Sequence, residues 1–298
     1  MGAEVLTPAF LRDWPLPERT GSKDERGGVL VVGGAAATPG AAMLTGLAAL
    51  RAGAGRLTLA VAASVAGAVA VAVPESGVLA LPESDGQPTG ELPARADEEL
   101  GRTDAVVVGP GLGDPASATA VVEAVAAALD PTTPVLLDAF ALGVLPHVSE
   151  AARERLRGRL VLTPNHAEAE RLLEGDAAED DEDDDGGEDG TAATAHRIAR
   201  RYGAVVALSG VVAEPQGRTW TSAGGASGLG TSGSGDVLAG AVGGLLAGRV
   251  PLDQAACWGV ALHTTAGDRL AAAVGPLGFL ARELVDEIPK VLVELRTR

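Results

Sequence analysis

The stretch GTSGSGDVLAG at 230–240 sets Gly233 and Gly235 around Ser234, follows them with Asp236, and runs directly into a helical pattern. The start of a helix presents backbone N–H groups without intrahelical acceptors, together with a partial positive charge. Glycines there let the backbone come close to a phosphate. The N–H groups of Gly233, Ser234 and Gly235 are therefore expected to form an anion cradle. A carboxylate beside such a cradle is unfavourable for simple phosphate binding. It has a use if Asp236 takes the proton from a hydroxyl that attacks a phosphoryl group. The same residues also suit a glycine turn and a first-turn acid that complements the helix dipole, and spacing does not separate the two readings.

The elements that must position these residues alternate. GVLVVGG (28–34), RLTLAV (56–61), DAVVVGPGLG (104–113), PVLLDA (134–139), RLVLTPN (159–165) and AVVALSG (204–210) read as strands. Helices are expected over 39–55, 117–129, 166–173, 191–202, 234–247 and 252–273, with a last one near the C-terminus. Continuous Val/Leu strands between helices imply a mainly parallel sheet covered on both faces, with right-handed crossovers, in one domain spanning 1–298. Ligands of such sheets sit outside the carboxyl ends of the strands. The glycine-rich exits Gly33–Gly34, Gly109–Gly113 and Ser209–Gly210 fall there, as does the polar exit Thr163–Asn165. Together they point to a cleft along one edge.

Composition narrows the class. Hydrophobic residues make up 46% and aromatics 2%, so the core must be built from small aliphatic side chains between closely spaced elements. The net charge of −17 argues against a nucleic-acid partner. Eleven of the acids fall in 174–190, which leaves −6 for the rest. A run of this kind repels itself and buries no apolar area, so a solvated, disordered loop is expected there. With no apolar stretch of bilayer length, no membrane span is expected, and the opening residues, which have no apolar core segment, are not expected to act as a secretory signal. Cys257 has no second cysteine to pair with, so a cytoplasmic setting is expected. No His/Cys cluster has metal-ligand spacing.

GSGDVLAGAVGGLLAG resembles the GxGD signature of the ribokinase-like superfamily. With it, GVLVVGGAAATPGAAMLTGLAALRAGAGRLTLAV, VVVGPGLGDP, LLDAFAL and LVLTPNHAEAERLL occur in the order found in the ADP/ATP-dependent NAD(P)H-hydrate dehydratases, covering the chain from about Lys23 onward. The resemblance implies a three-layer α/β/α sandwich. It also implies a repair reaction on hydrated NADH or NADPH, in which ADP or ATP phosphorylates the ring hydroxyl and phosphate then leaves. Asp236 would be the base and would touch the substrate. Ser209, Gly210, Gly233, Ser234 and Gly235 would bind the nucleotide. Gly40, Ala41, Gly109, Gly111 and Asn165 would line the dinucleotide side, and Glu168 would help hold Mg²⁺ through water. A homo-oligomer, up to a tetramer, is implied as well. The first motif begins near residue 27, so the epimerase domain that some members carry ahead of it is not expected.

The chain departs from the family pattern at three exits. Ser209-Gly210 stands where Lys-Gly is usual, Phe140 where an acid is usual, and TPNHAE replaces TPHPGE, putting Asn165 at a histidine position and a histidine at 166. Phe140 is expected to make apolar contact near the cleft. These changes keep two alternatives open: a vitamin-precursor kinase of the same superfamily, and a nucleotide-binding relative without turnover. His263 is read as a helix-packing residue, Cys257 and Trp258 as core or interface, and Trp14 and Trp220 as buried rather than stacked on an adenine. Glu168 also reads as an ordinary first-turn acid.

Overall fold

The structure, a computed structural model, describes residues 3–18, 21–175 and 188–297. Its strands in chain order are β1 (Glu4–Val5), β2 (Gly28–Val32), β3 (Arg56–Ala62), β4 (Gly77–Leu81), β5 (Glu83–Ser84), β6 (Gln87–Pro88), β7 (Ala105–Val108), β8 (Val135–Leu137), β9 (Leu160–Leu162), β10 (Ala204–Leu208), β11 (Val211–Ala213) and β12 (Thr219–Thr221). β5 and β6 form a small hairpin. The others make one ten-stranded sheet in the order β1-β12-β11-β10-β9-β8-β7-β2-β3-β4. Within this sheet only β11 runs against its neighbours.

The central strands are buried along their whole length, as a parallel sheet with helices on both faces requires. The pleat sends alternate residues to opposite faces. Val29 and Val31 join one core with the helices Pro39–Arg51, Ser234–Ala247, Leu252–Ala273 and Ala281–Arg296. Leu30 and Val32 join a second core with Pro115–Ala128, Glu150–Leu156, His166–Leu173 and Glu188–Tyr202. The expected three-layer α/β/α sandwich is what results. No helix among the described residues is long and apolar enough to cross a membrane.

Two features differ from the sequence reading. The helix expected at 191 begins at Glu188, inside the segment expected to be loop, because the end of the acidic run suits the positive start of a helix. The expected disorder concerns 176–187, which lie outside the described residues. β11, β12 and β1 also extend the sheet beyond β10. Trp220 on β12 is fully buried and stacks on Trp14, with ring centroids 5.8 Å apart and 20° between planes. The Trp258 indole N–H donates to the Trp14 carbonyl at 3.0 Å, so the two tryptophans fasten the N-terminal segment over the sheet edge.

The strand order fixes where a ligand belongs. From β2 the chain moves outward through β3 and β4, then returns to the other side of β2 as β7. β2 and β7 are therefore the pair at which the winding reverses, and a crevice opens outside their carboxyl ends.

Candidate active site

The reversal point is built from tightly apposed backbone. Beyond the Val32–Val108 pair, the Gly34 amide donates to the Pro110 carbonyl at 2.8 Å and the Ala35 amide to the Gly111 carbonyl at 2.8 Å. The Thr38 hydroxyl donates to the same Gly111 oxygen at 2.7 Å. Gly109, at φ +120°, has no room for a side chain, because a Cβ would collide with the Asp138 carbonyl. A Cβ on Gly111 would stand 3.2 Å from that of Ala41, so these two expected substrate-side residues adjoin. Gly40 faces open space at the start of the Pro39–Arg51 helix.

The GSGD helix starts beside them. Gly233 is its N-cap in the left-handed region at φ 87°, where a Cβ would press to 2.8 Å from Leu44 Cδ1 and 3.1 Å from Ala281 Cβ. The first intrahelical bond runs from the Val237 amide to the Gly233 carbonyl at 3.2 Å, so the amides of Gly235 and Asp236 precede the helical ladder. Ser234 is less free than its neighbours. Its amide donates to the Thr231 carbonyl at 3.2 Å, and its Oγ lies 2.8 Å from His263 Nε2. Burial pushes the His263 pKa down to about 4, so the imidazole is neutral and anchors the start of the helix from behind. That is the packing role expected of it.

Asp236 occupies the first turn, half buried, and its carboxyl has no hydrogen-bond partner among the described residues. Desolvation pushes its pKa up to about 6. It is still mostly ionised at neutral pH, and no donor competes for its lone pairs. Nearby stands a group that sequence reasoning passed over. Asp138, only 5% exposed at the exit of β8, accepts the Thr163 hydroxyl at 2.9 Å. Its pKa is raised to about 7, chiefly by burial, with the Thr163 bond opposing and the charges of Asp236 and Glu168 adding. LLDAFAL contained the signal, an acid ending an otherwise apolar strand.

Glu168 and Asn165 form a reciprocal capping box. The Glu168 amide donates to Asn165 Oδ1 and the Asn165 amide to Glu168 Oε2, both at 2.9 Å. Burial raises the Glu168 pKa, opposed by the Asn165 amide and Arg171. Ser209 and Gly210 turn out to be the two-residue loop joining β10 to antiparallel β11. Both have the positive φ that such hairpins need, 47° and 85°. Ser209 Oγ lies 2.9 Å from His166 Nε2, so the chain's unusual histidine and unusual serine touch across neighbouring strand exits. A separate cavity of about 680 Å³ opens at the opposite edge, around Asp104, Asp130, Arg159 and Arg249, and none of the expected site residues lines it.

An acid with a near-neutral pKa at the mouth of a helix with free amides can take a proton from a hydroxyl while the amides meet a phosphoryl group. Comparison with known proteins agrees with this chemistry. The family described as NAD(P)H-hydrate dehydratase matches residues 29–290. The ADP-dependent (S)-NAD(P)H-hydrate dehydratase of Xanthomonas campestris is 45% identical over 98% of this chain and 96% of its own length. The Moorella thermoacetica bifunctional NAD(P)H-hydrate repair enzyme is 37% identical, and the chain spans about half of it, 54%. A crystal structure of the ADP/ATP-dependent NAD(P)H-hydrate dehydratase of Bacillus subtilis, co-crystallised with ATP/Mg²⁺, superposes with a TM-score of 0.76 at 26% identity, covering 99% of each chain. A ribokinase-like protein from Enterococcus faecalis superposes at 0.80, 22% identity, covering 99% of this chain and 97% of its own, and shows the shared fold.

Proposed function

Because the chain belongs to the NAD(P)H-hydrate dehydratase family, we propose that it uses ADP or ATP to dehydrate hydrated NADH or NADPH at the β2/β7 crevice. The observation that carries this reading is Asp236, a desolvated and unpartnered carboxylate set in the first turn of a helix whose Gly235 and Asp236 amides precede the helical ladder.

Asp236 takes the proton of the ring hydroxyl as its oxygen attacks the terminal phosphoryl group, and the nucleotide leaves one phosphate shorter. The amides of Gly233, Gly235 and Asp236 stabilise charge on the transferred group. Ser234, tied to His263, fixes the backbone that presents them. The ring C–O bond then breaks, phosphate departs, a neighbouring C–H gives up its proton and the double bond returns. Ser209 and Gly210 contact the nucleotide. Gly40, Ala41, Gly109, Gly111 and Asn165 bound the dinucleotide.

Glu168 would help hold Mg²⁺ through water. The carboxyl groups of Glu168, Asp138 and Asp236 offer the oxygen donors that it favours, and the charges of Asp236 and Glu168 both reach Asp138. No cluster of three acidic, His or Cys ligands arranged for a metal occurs among the described residues. That fits an ion held largely by water and substrate phosphates rather than by a protein cage. The ion would neutralise phosphate charge.

The proposal takes 1–298 as one working unit in a cytoplasmic setting. It includes self-association, up to a tetramer; the uncharged helix Ala63–Ala72, with Val71 82% exposed, is a face that a second copy would cover. Incubation with enzymatically hydrated NADH plus ADP, with ATP in a parallel arm, tests the function through the return of reduced-nicotinamide absorbance. Phosphorylation of a vitamin-precursor alcohol without hydrate repair would overturn it in favour of a kinase. Nucleotide binding with neither reaction would point to a relative without turnover.

A further inference from the structure

Phe140 is 41% exposed, the only aromatic among the large exposed hydrophobic side chains of the described residues, in a chain whose aromatic content is 2%. A lone exposed hydrophobe is ordinary. The backbone that presents this one is not. Ala139, immediately before it, has φ 52° and ψ −128°, a region that residues with a Cβ adopt only under constraint. The constraint is visible. The Ala139 amide bonds the Asp138 carboxyl, the Ala141 amide donates to the Asp138 carbonyl at 3.2 Å, and the Leu142 amide to the Ala139 carbonyl at 3.0 Å. The corner is also wedged on both sides. A Cβ on Gly109 would collide with the Asp138 carbonyl and stand 2.8 Å from Ala141 Cβ, while Thr163 holds the Asp138 carboxylate from the β9 side.

We propose that Phe140 is a specificity-determining contact, a flat face on which the dinucleotide substrate packs one of its rings, and that strained Ala139 is the residue positioning it. The inference rests on the dehydratase reading for the identity of the substrate. The placement argues for the dinucleotide over the phosphate-donating nucleotide. Phe140 stands between the Gly109–Gly111 exit and the Thr163–Asn165 exit, with β9 separating its strand from β10, whose end carries the Ser209–Gly210 turn. Stacking suits this position because a phenyl ring gives a planar ligand broad contact without fixing hydrogen bonds.

Steady-state kinetics with hydrated NADH and ADP separate the possibilities. Phe140→Ala should raise the KM for the dinucleotide by roughly 10- to 100-fold, the range set by loss of ring stacking. It should leave kcat within about threefold and the KM for ADP unchanged, and Phe140→Tyr should restore the parent values. Ala139→Gly relieves the backbone and should keep the thermal midpoint while also raising the dinucleotide KM, which a purely structural corner would not do. An unchanged dinucleotide KM in Phe140→Ala, or an equal rise for ADP, overturns the ring contact. A parent-like KM in Ala139→Gly overturns the positioning role. If the parent lacks hydrate repair, the functional reading fails separately. Titration of parent and Phe140→Ala with NADH then decides the contact: weaker binding by the variant supports it, and equal binding sinks it.

Discussion

Asp236 and Asp138 sit in the same crevice with opposite local chemistry, one carboxyl without a partner and the other bonded to Thr163. If Asp236 is the base, kcat should fall about tenfold per pH unit below its pKa of about 6 and level off above it. A rate profile flat from pH 5 to 8 would remove the assignment. Asp236→Asn should lower turnover by about 10²–10⁴-fold with little change in thermal midpoint, since Asn suits the start of a helix. Turnover within tenfold of the parent, with lost stability, would return Asp236 to the role of a dipole-complementing acid. Asp138 makes a prediction about stability. Its folded pKa of about 7 lies above the ordinary 3.8, so its ionised form opposes folding. Its contribution is intact below about pH 4 and is lost as pH rises through 7. Asp138→Asn should therefore melt higher than the parent at pH 8, with the gap closing towards pH 4. A gap independent of pH would show that the buried charge is not its origin.

The helix carrying Asp236 owes its position to glycine. A Cβ on Gly240 would meet the Thr45 carbonyl and stand 2.7 Å from Ala48 Cβ, and one on Gly244 would meet the Ala49 carbonyl. The helices Ser234–Ala247 and Pro39–Arg51 thus touch backbone to backbone, with both amino ends at the crevice. Gly244→Ala should cost about 1–3 kcal/mol through overpacking and lower turnover by shifting the two ends apart. Denaturant melts and rates on this variant check both, and an unchanged midpoint would refute the close approach. The glycines were plain in GAVGGLLAG, and the parallel strands and most helices were legible in their Val/Leu runs and stops. What stayed hidden had physical reasons. β11, β12 and β1 are two or three residues long and acquire strand geometry only by pairing. Ser209–Gly210 read as a strand exit because a two-residue turn leaves no composition signal beyond its glycine. Asp138 was visible as an acid, but its nearness to Asp236 and Glu168 comes from crossovers that set β8 beside β7 and β9 beside β8, and local spacing does not encode those.

At the scale of the molecule, a net charge of −17 faces substrates that are themselves anions. Like-charge repulsion slows their approach, and salt relieves it. For this protein kcat/KM should rise between about 20 and 150 mM salt, where the Debye length shortens to about 8 Å. Deleting 179–187, seven of the acids, should flatten that dependence while kcat and the thermal midpoint stay within a few-fold and a few degrees of the parent. A collapse of either would mean that the acidic run is a working part. The outer sheet edge raises a question of time rather than charge. β1 is made before every other strand described here, yet its place is beside β12, more than two hundred residues later. On the ribosome the Trp14 segment must wait, unpartnered, until Trp220 has emerged. For that interval each nascent chain carries both a loose aromatic segment and, later, a bare strand edge able to accept the segment of a neighbouring chain. Crowded translation is therefore the condition under which this fold is most open to exchanging the Trp14 segment between copies.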